Sequence, residues 1–175
     1  MITVDDLAAI CPQSKRAVLY EFVAPLNDAM REFEISDTVE REAAFLAQIA
    51  HESGGFRYVQ EIASGDAYEG RDDLGNTEPG DGVRYKGRGL IQITGRSNYE
   101  KCGAALGFDL LAHPILLESP ALAARSAAWF WESHGLNDLA DAGDFLRITK
   151  RINGGTNGWA DRTALWERAK NTLTA

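Results

Sequence analysis

Cysteine is scarce in this chain: Cys11 and Cys102 are the only two among 175 residues. Two thiols cannot build the disulfide framework of a small secreted scaffold, and the sequence leaves open whether they pair. Histidine is nearly as rare, at His51, His113 and His134, and none stands at zinc-site spacing from a cysteine. The reading is therefore of a chain without a metal and without a cofactor. Long apolar runs are missing as well: none approaches the roughly 20 residues that span a bilayer, so no stable membrane insertion is expected. The start, Met1-Ile-Thr-Val-Asp-Asp, carries acids where a secretory leader would carry Lys or Arg, and export by the ordinary route is not expected. Positive charge is the last deficit. Lys and Arg number 18 against 26 Asp and Glu, a net charge of −8 with a pI near 4.9. That balance argues against a nucleic-acid binder that works by neutralising phosphates, and against a cationic helix that disrupts anionic membranes.

What is present reads as a series of helices around one long irregular region. At this length the chain is expected to form one domain with a real core. Residues from about Val4 to Glu34 predict one or two helices punctuated by Pro12 and Pro25. Ser36 or Asp37 is the expected cap of a helix that stops at Gly54-Gly55. From Ser64 to Gly89 the composition turns to Gly, Asp, Asn, Pro and Arg, which predicts a loop, and a loop of such length in a compact domain is functional or disordered. Tyr68, Leu74 and Tyr85 within it favour order. Leu90-Ile91-Gln92-Ile93-Thr94 predicts a short strand or extended segment, and Ser97 with Glu100 matches a capping box for a helix ending near Gly107. Further helices are predicted from Pro120 to about His134, from Asp144 to Ile152 before Gly154-Gly155, and from about Asp161 to Leu173. The fold class is thus mainly α, with a long Gly-rich loop and at most a small β element.

Two acids, Glu52 and Glu61, stand nine positions apart at the end of the Val39–Ser53 helix and beyond its double glycine. Three, four and seven residues before Glu52 come Ile49, Gln48 and Phe45, so its carboxyl group is expected at the rim of an apolar helical face. Desolvation there would raise its pKa, as a proton donor near neutral pH requires. Glu61, outside that helix, is free to face it across a cleft. Hydrolysis of a glycosidic bond needs such a pair, one acid to protonate the leaving oxygen and one carboxylate to attack or to activate water. Along an extended Leu90–Thr94, Gln92 and Thr94 share one face and Ile91 and Ile93 the other. An amide and a hydroxyl so placed suit a sugar hydroxyl or a water; the plainer alternative is the solvent face of a half-buried strand.

The segments His51-Glu52-Ser53-Gly54-Gly55, Gln60-Glu61, Gly75-Asn76-Thr77-Glu78-Pro79-Gly80-Asp81-Gly82, Lys86 to Gly95 and Ile152-Asn153-Gly154-Gly155 together resemble family 19 glycoside hydrolases. The resemblance covers roughly Val39 to Leu173 and is nearest to the compact endolysins, or muramidases, of bacteriophages. It implies a lysozyme-like helical domain, with residues 36–175 as the family core and 1–35 as N-terminal helices packed on it. It implies Glu52 as general acid, Glu61 as general base in an inverting mechanism, and Thr94 as a holder of the attacking water. Gln92, Asn98, Tyr99 and Asn153 would line the substrate cleft, and Arg162 would support the second acid. The Asn-Tyr-Ser that usually follows the second glutamate is absent, which makes Glu69, in Tyr68-Glu69-Gly70-Arg71, a rival base.

Carried through, the resemblance predicts cleavage of β-1,4 bonds in bacterial peptidoglycan. Such a monomeric lysin would wait in the host cytoplasm until a holin-like pore gives access to glycan strands in the periplasm. A chitinase acting on β-1,4 N-acetylglucosamine polymers is the first alternative, and a non-catalytic glycan-binding module the second. Other motifs are weaker. His51-Glu52 lacks the second His of a metalloprotease helix, and Gly87-Arg88-Gly89 lacks the Lys-Ser/Thr of a P-loop. Arg88 and Arg96 are expected to pair with acids or shape the cleft. Trp129 and Trp131 are read as core before sugar-stacking platforms, and Asp72, Asp73 and Asp81 as solvated loop acids.

Overall fold

The computed structural model describes residues 1–174. The molecule is helical, as the periodicity and the glycine stops predict. Helices α1 (Val4–Ile10) and α2 (Arg16–Glu32) flank Pro12, while Pro25 sits inside α2 without ending it. Thr38, rather than Ser36 or Asp37, caps α3 (Val39–Glu52), accepting the amide of Arg41 on its hydroxyl. Ser36 and Asp37 instead belong to a single 3₁₀ turn before it. After a short α4 (Asp81–Arg84) come α5 (Arg96–Leu106), α6 (Pro120–Ser133), α7 (Leu136–Asp141), α8 (Phe145–Asn153) and α9 (Trp159–Leu173). Gly107 and Gly154 end α5 and α8 in the left-handed conformation, which costs a glycine little.

Helix α3 is the centre. Every residue from Glu42 to Ala50 is buried, because α9 packs on one side while other helices close around the rest. The helix therefore has no solvent stripe along most of its length, and its amphipathic reading holds only at the ends. Phe45 meets Trp131 of α6 edge-on at 5.4 Å, and Trp131 is fully buried, a core residue as expected. Trp129 packs partly buried against the same cluster. Cys11 and Cys102 are both free and buried, and burial pushes each thiol up to about 12.

The long loop is ordered, and buried polar side chains order it. Asn76, fully buried, donates to the carbonyl of Tyr68 at 2.9 Å and accepts the amide of Arg96 at 2.8 Å. Asp81 is not solvated as expected; it is 1% exposed and takes the Arg96 guanidinium through both oxygens, at 2.6 and 2.7 Å. That hydrogen-bonded pair holds the Asp81 carboxyl below its usual range.

Two further expectations change. Gly95 precedes α5 with no side-chain cap, so the Ser97–Glu100 capping box does not form. Leu90–Thr94 is not a strand. Arg88 and Ile93 pair backbone to backbone in both directions, at 3.1 and 2.8 Å, and the four residues between them turn. Gln92 takes a left-handed φ of 59° there, a conformation uncommon for a side chain of its size. Among the described residues no longer strand forms; Gln60 bridges Arg88 on the other side.

Candidate active site

Glu52 is the last residue of α3, where the helix leaves the core, and its side chain is 22% exposed. The apolar rim expected around it is not what the structure places there. Arg162 of α9, 2% exposed, donates to Glu52 Oε1 at 2.5 Å. The same guanidinium donates to Gln48 Oε1 and, at 3.0 Å, to the carbonyl of Asn157. Gln48 in turn donates to Thr149 of α8 at 2.8 Å. A buried polar chain thus runs Thr149–Gln48–Arg162–Glu52, from the core to the rim. It is a fork-shaped clamp, and it fixes one carboxylate oxygen while leaving the other outward. Arg162 accordingly supports the first acid, not the second as expected. The reason is geometric: Gln48 and Glu52, four residues apart, share the α3 face that α9 covers.

The chain beyond Glu52 doubles back on itself. Ser53 Oγ donates to the carbonyl of Ile49 and accepts the amide of Phe56, at 2.6 and 2.8 Å. The amide of Tyr58 closes the turn onto the carbonyl of Ser53 at 2.9 Å. From Tyr58, three residues of extended chain carry Glu61 at most about 10 Å further. A tight turn therefore joins the two acids and keeps them near one another. His51 is tied off to one side, its Nδ1 at 2.7 Å from Asp161 and its ring against Gly158, where a Cβ would come within 2.3 Å.

Glu61 is held by neutral donors. The amide of Gly87 reaches Oε1 at 3.0 Å and the Tyr68 hydroxyl reaches Oε2 at 2.9 Å, while the Glu61 amide donates back to the Gly87 carbonyl. Gly87 is the hub. A Cβ added there would stand 2.7 Å from Gln92 Oε1 and 3.2 Å from Thr94 Oγ1, so both side chains converge on the residue that binds Glu61. The shared face expected of Gln92 and Thr94 is thus achieved by a turn rather than by strand alternation. Thr94 donates to the carbonyl of Gln92, Gln92 to that of Gly89, and Asn98 to that of Thr94, at 2.9, 2.9 and 2.7 Å.

Tyr99 does not line a cleft. It is fully buried beneath the turn, donating to the carbonyl of Lys86 at 2.6 Å and accepting from Arg88 at 2.9 Å, and burial raises its pKa. Arg88 also pairs with Glu118 at 2.8 Å, and Gln60 donates to the same carboxylate oxygen. These groups form the floor under Glu61. Asn153, half-buried at the end of α8, sits in the loop whose Asn157 carbonyl receives Arg162. The rival base, Glu69, is engaged by backbone instead: its two oxygens accept the amides of Gly80 and Gly82 at 2.7 and 2.8 Å and so tie the loop down. Sequence reasoning missed Gln48, Tyr68 and Gly87. Gln48 was visible as a polar residue four before Glu52 on an otherwise apolar helix.

Comparison with known proteins identifies the family and the fold. A family profile described as "Chitinase class I" matches residues 20–140. A protein of Haemophilus influenzae named for a family 19 glycosyl hydrolase domain is 32% identical over 157 residues, covering 72% of this chain and 76% of its own. An endochitinase of Arabidopsis thaliana is 39% identical over 132 residues, 75% of this chain, although the matched part is only 45% of that longer protein. In structure, chitinase C from Streptomyces griseus superposes with a TM-score of 0.82 at 25% identity, over 99% of this chain and 77% of that one. The fold is theirs. The chain belongs to the family 19 glycoside hydrolases.

Proposed function

We propose that this enzyme cleaves β-1,4 bonds of N-acetylglucosamine-containing glycans, of the kind found in chitin, with Glu52 as general acid and Glu61 as general base. The observation that carries the reading is the contrast between the two carboxylates. Glu52 is gripped on one oxygen by Arg162, and Glu61 is held by Gly87 and Tyr68 beside the Gln92 and Thr94 side chains. In the proposed step the Glu52 proton passes to the glycosidic oxygen as its bond to the anomeric carbon breaks. A water held near Thr94 attacks that carbon from the opposite face and gives its proton to Glu61, so configuration inverts and no glycosyl-enzyme forms. Glu52 is left as a carboxylate against the Arg162 guanidinium, an interaction stronger after proton transfer than before it, which is what favours the transition state. Solvent then returns the proton to Glu52 and removes the one on Glu61.

The names of the plant relatives and of the Streptomyces structure support chitin as the substrate. Peptidoglycan, which presents the same sugar, is the second reading. The test is hydrolysis of chitin hexamer followed by NMR of the nascent reducing ends. Wild type is expected to release the inverted anomer first. Glu52→Gln and Glu61→Gln should each lose about 10²–10⁴ in kcat, and Glu69→Gln should stay within a few-fold of wild type. Near-normal turnover in Glu61→Gln with loss in Glu69→Gln would overturn the assignment of the base.

A further inference from the structure

Helix α9 begins without a cap. Gly158 precedes it in the left-handed conformation, at φ 72°, and no side chain accepts from its first amides. Residues 156–161 are exposed, and an uncapped helix start in solvent frays. Arg162 stands in the first turn of this helix, and two of its anchors lie in that stretch. Its amide donates to the carbonyl of Gly158 at 2.9 Å, and its Nε to that of Asn157 at 3.0 Å. The guanidinium that grips Glu52 is thus mounted on backbone that the helix itself does not secure.

His51 secures it. The His51 Nδ1 lies 2.7 Å from Asp161 Oδ2, where a ring N–H donates to the carboxylate. The ring also rests on Gly158: a Cβ there would stand 2.3 Å from Cε1 and 2.4 Å from Nε2, so no side chain fits between imidazole and backbone. Among the described residues this is the side-chain hydrogen bond that fastens 156–161 to α3. Trp159 leans instead on Phe145 at the start of α8, ring centres 5.9 Å apart. The two contacts between the helices are adjacent rungs, 51 with 161 and 52 with 162. A bond across the outer rung therefore sets the spacing of the inner one, between Glu52 Oε1 and Arg162 Nη2. Gln48 holds the guanidinium from the core side, but it takes Nη1 and leaves Nη2 to Glu52.

We propose that His51 is a positioning residue for the acid: its bond to Asp161 pins the start of α9 against the end of α3 and so keeps the Arg162 guanidinium on Glu52 through turnover. The inference rests on the hydrolase reading above and deepens it. His51 does this without touching the glycan, because it acts through Asp161 and Arg162. Glu52 must return to one geometry after each proton transfer, and a guanidinium that drifts with a frayed helix start would let it swing. Asp161 is 59% exposed and packs into no core, so its removal tests the link without threatening the fold.

The test is a mutant cycle read as kcat and KM on chitin hexamer, or on soluble peptidoglycan should that be the glycan cut. Asp161→Ala is expected to lower kcat about three- to tenfold, the effect of one part-exposed hydrogen bond, with KM within about twofold of wild type. His51→Ala should lose as much. Asp161→Asn keeps an oxygen that accepts from Nδ1 and should hold kcat within about twofold of wild type. On top of Arg162→Lys, Asp161→Ala should cost no more than about twofold further, because the group it positions is gone. A contact with a purely structural role would lower the melting temperature and spare kcat. Unchanged kcat in Asp161→Ala, a loss confined to KM, an equal loss in Asp161→Asn, or a full further loss on top of Arg162→Lys would overturn the proposal and leave the hydrolase reading intact. Should wild type cut neither glycan, the hydrolase reading fails instead. The link is then judged without turnover, by NMR exchange of the Arg162 Nε proton. Asp161→Ala is expected to speed that exchange about tenfold or more, and equal rates in the two proteins refute it.

Discussion

Tyr68 is the residue on which the base assignment can be pressed hardest. Its hydroxyl donates to Glu61 at 2.9 Å, and burial together with that neighbour raises its own pKa, so it remains a donor through the neutral range. A hydrogen bond to a charged group is worth about 1.5–3 kcal/mol. Tyr68→Phe leaves Glu61 with the Gly87 amide alone, free to swing about it. The expected outcome is a fall in kcat of about tenfold or more on chitin hexamer, with KM and melting temperature nearly unchanged. A purely structural tyrosine would show the reverse, lost stability and intact kcat. The sequence did not make Tyr68 legible as a positioning residue. Glu52 and Glu61 were legible because a polar residue at a helix end, followed by two glycines and a second acid, is locally conspicuous. Tyr68 and Gln48 act through partners whose approach depends on tertiary packing: Tyr68 folds back seven residues, and Gln48 reaches Arg162 and Thr149 more than 100 residues on. No local pattern encodes either contact. The same blindness placed Arg162 beside the wrong acid and Tyr99 in the cleft.

At the scale of elements, α3 shows what the site demands of its scaffold. A helix buried on nearly every side carries polar residues only where something holds them, and Gln48 is held. Glu42 is not. It is 8% exposed, its Oε1 is buried without a hydrogen-bond partner, and desolvation raises its pKa, with Asp6 adding to the effect and the chain's amino terminus opposing it. An acid whose folded pKa lies above its unfolded value of 4.5 contributes fully below that value and loses that contribution as pH rises through the folded pKa. Glu42→Gln, neutral at every pH, should therefore gain about 1 kcal/mol over wild type at pH 7 and little or nothing at pH 4. Urea denaturation at the two pH values measures it, and an equal effect at both would remove ionisation from the account. The elements themselves were read well where a single residue does the work. Gly107 and Gly154 stop helices by adopting a conformation other residues avoid, and Asp144 starts one by accepting a backbone amide. The Leu90–Thr94 segment was misread because β-branched composition reports only a preference for extended backbone. The Arg88–Ile93 pairing closes it into a turn, and that pairing is set by residues outside the run.

Across the whole molecule the site is assembled from distant parts of the chain. Glu52 ends the central helix, Glu61 leaves the turn after it, and the clamp on Glu52 comes from α9, more than 100 residues later. Packing of α9 on α3 is then required both for folding and for holding the acid, and two substitutions one turn apart on α9 should separate these roles. Leu165, 2% exposed, contributes to the core; truncating it to alanine leaves a cavity that typically costs about 2–5 kcal/mol. Arg162 contributes donors; lysine keeps the charge but cannot reach Asn157, Gln48 and Glu52 together. Leu165→Ala is expected to lower the urea midpoint and yet retain wild-type kcat on chitin hexamer under conditions where it remains folded. Arg162→Lys is expected to lose about tenfold or more in kcat even where spectroscopy reports it fully native, because Glu52 is no longer fixed. If the two variants instead lose activity in proportion to their loss of stability, the clamp does nothing beyond holding α9 in place.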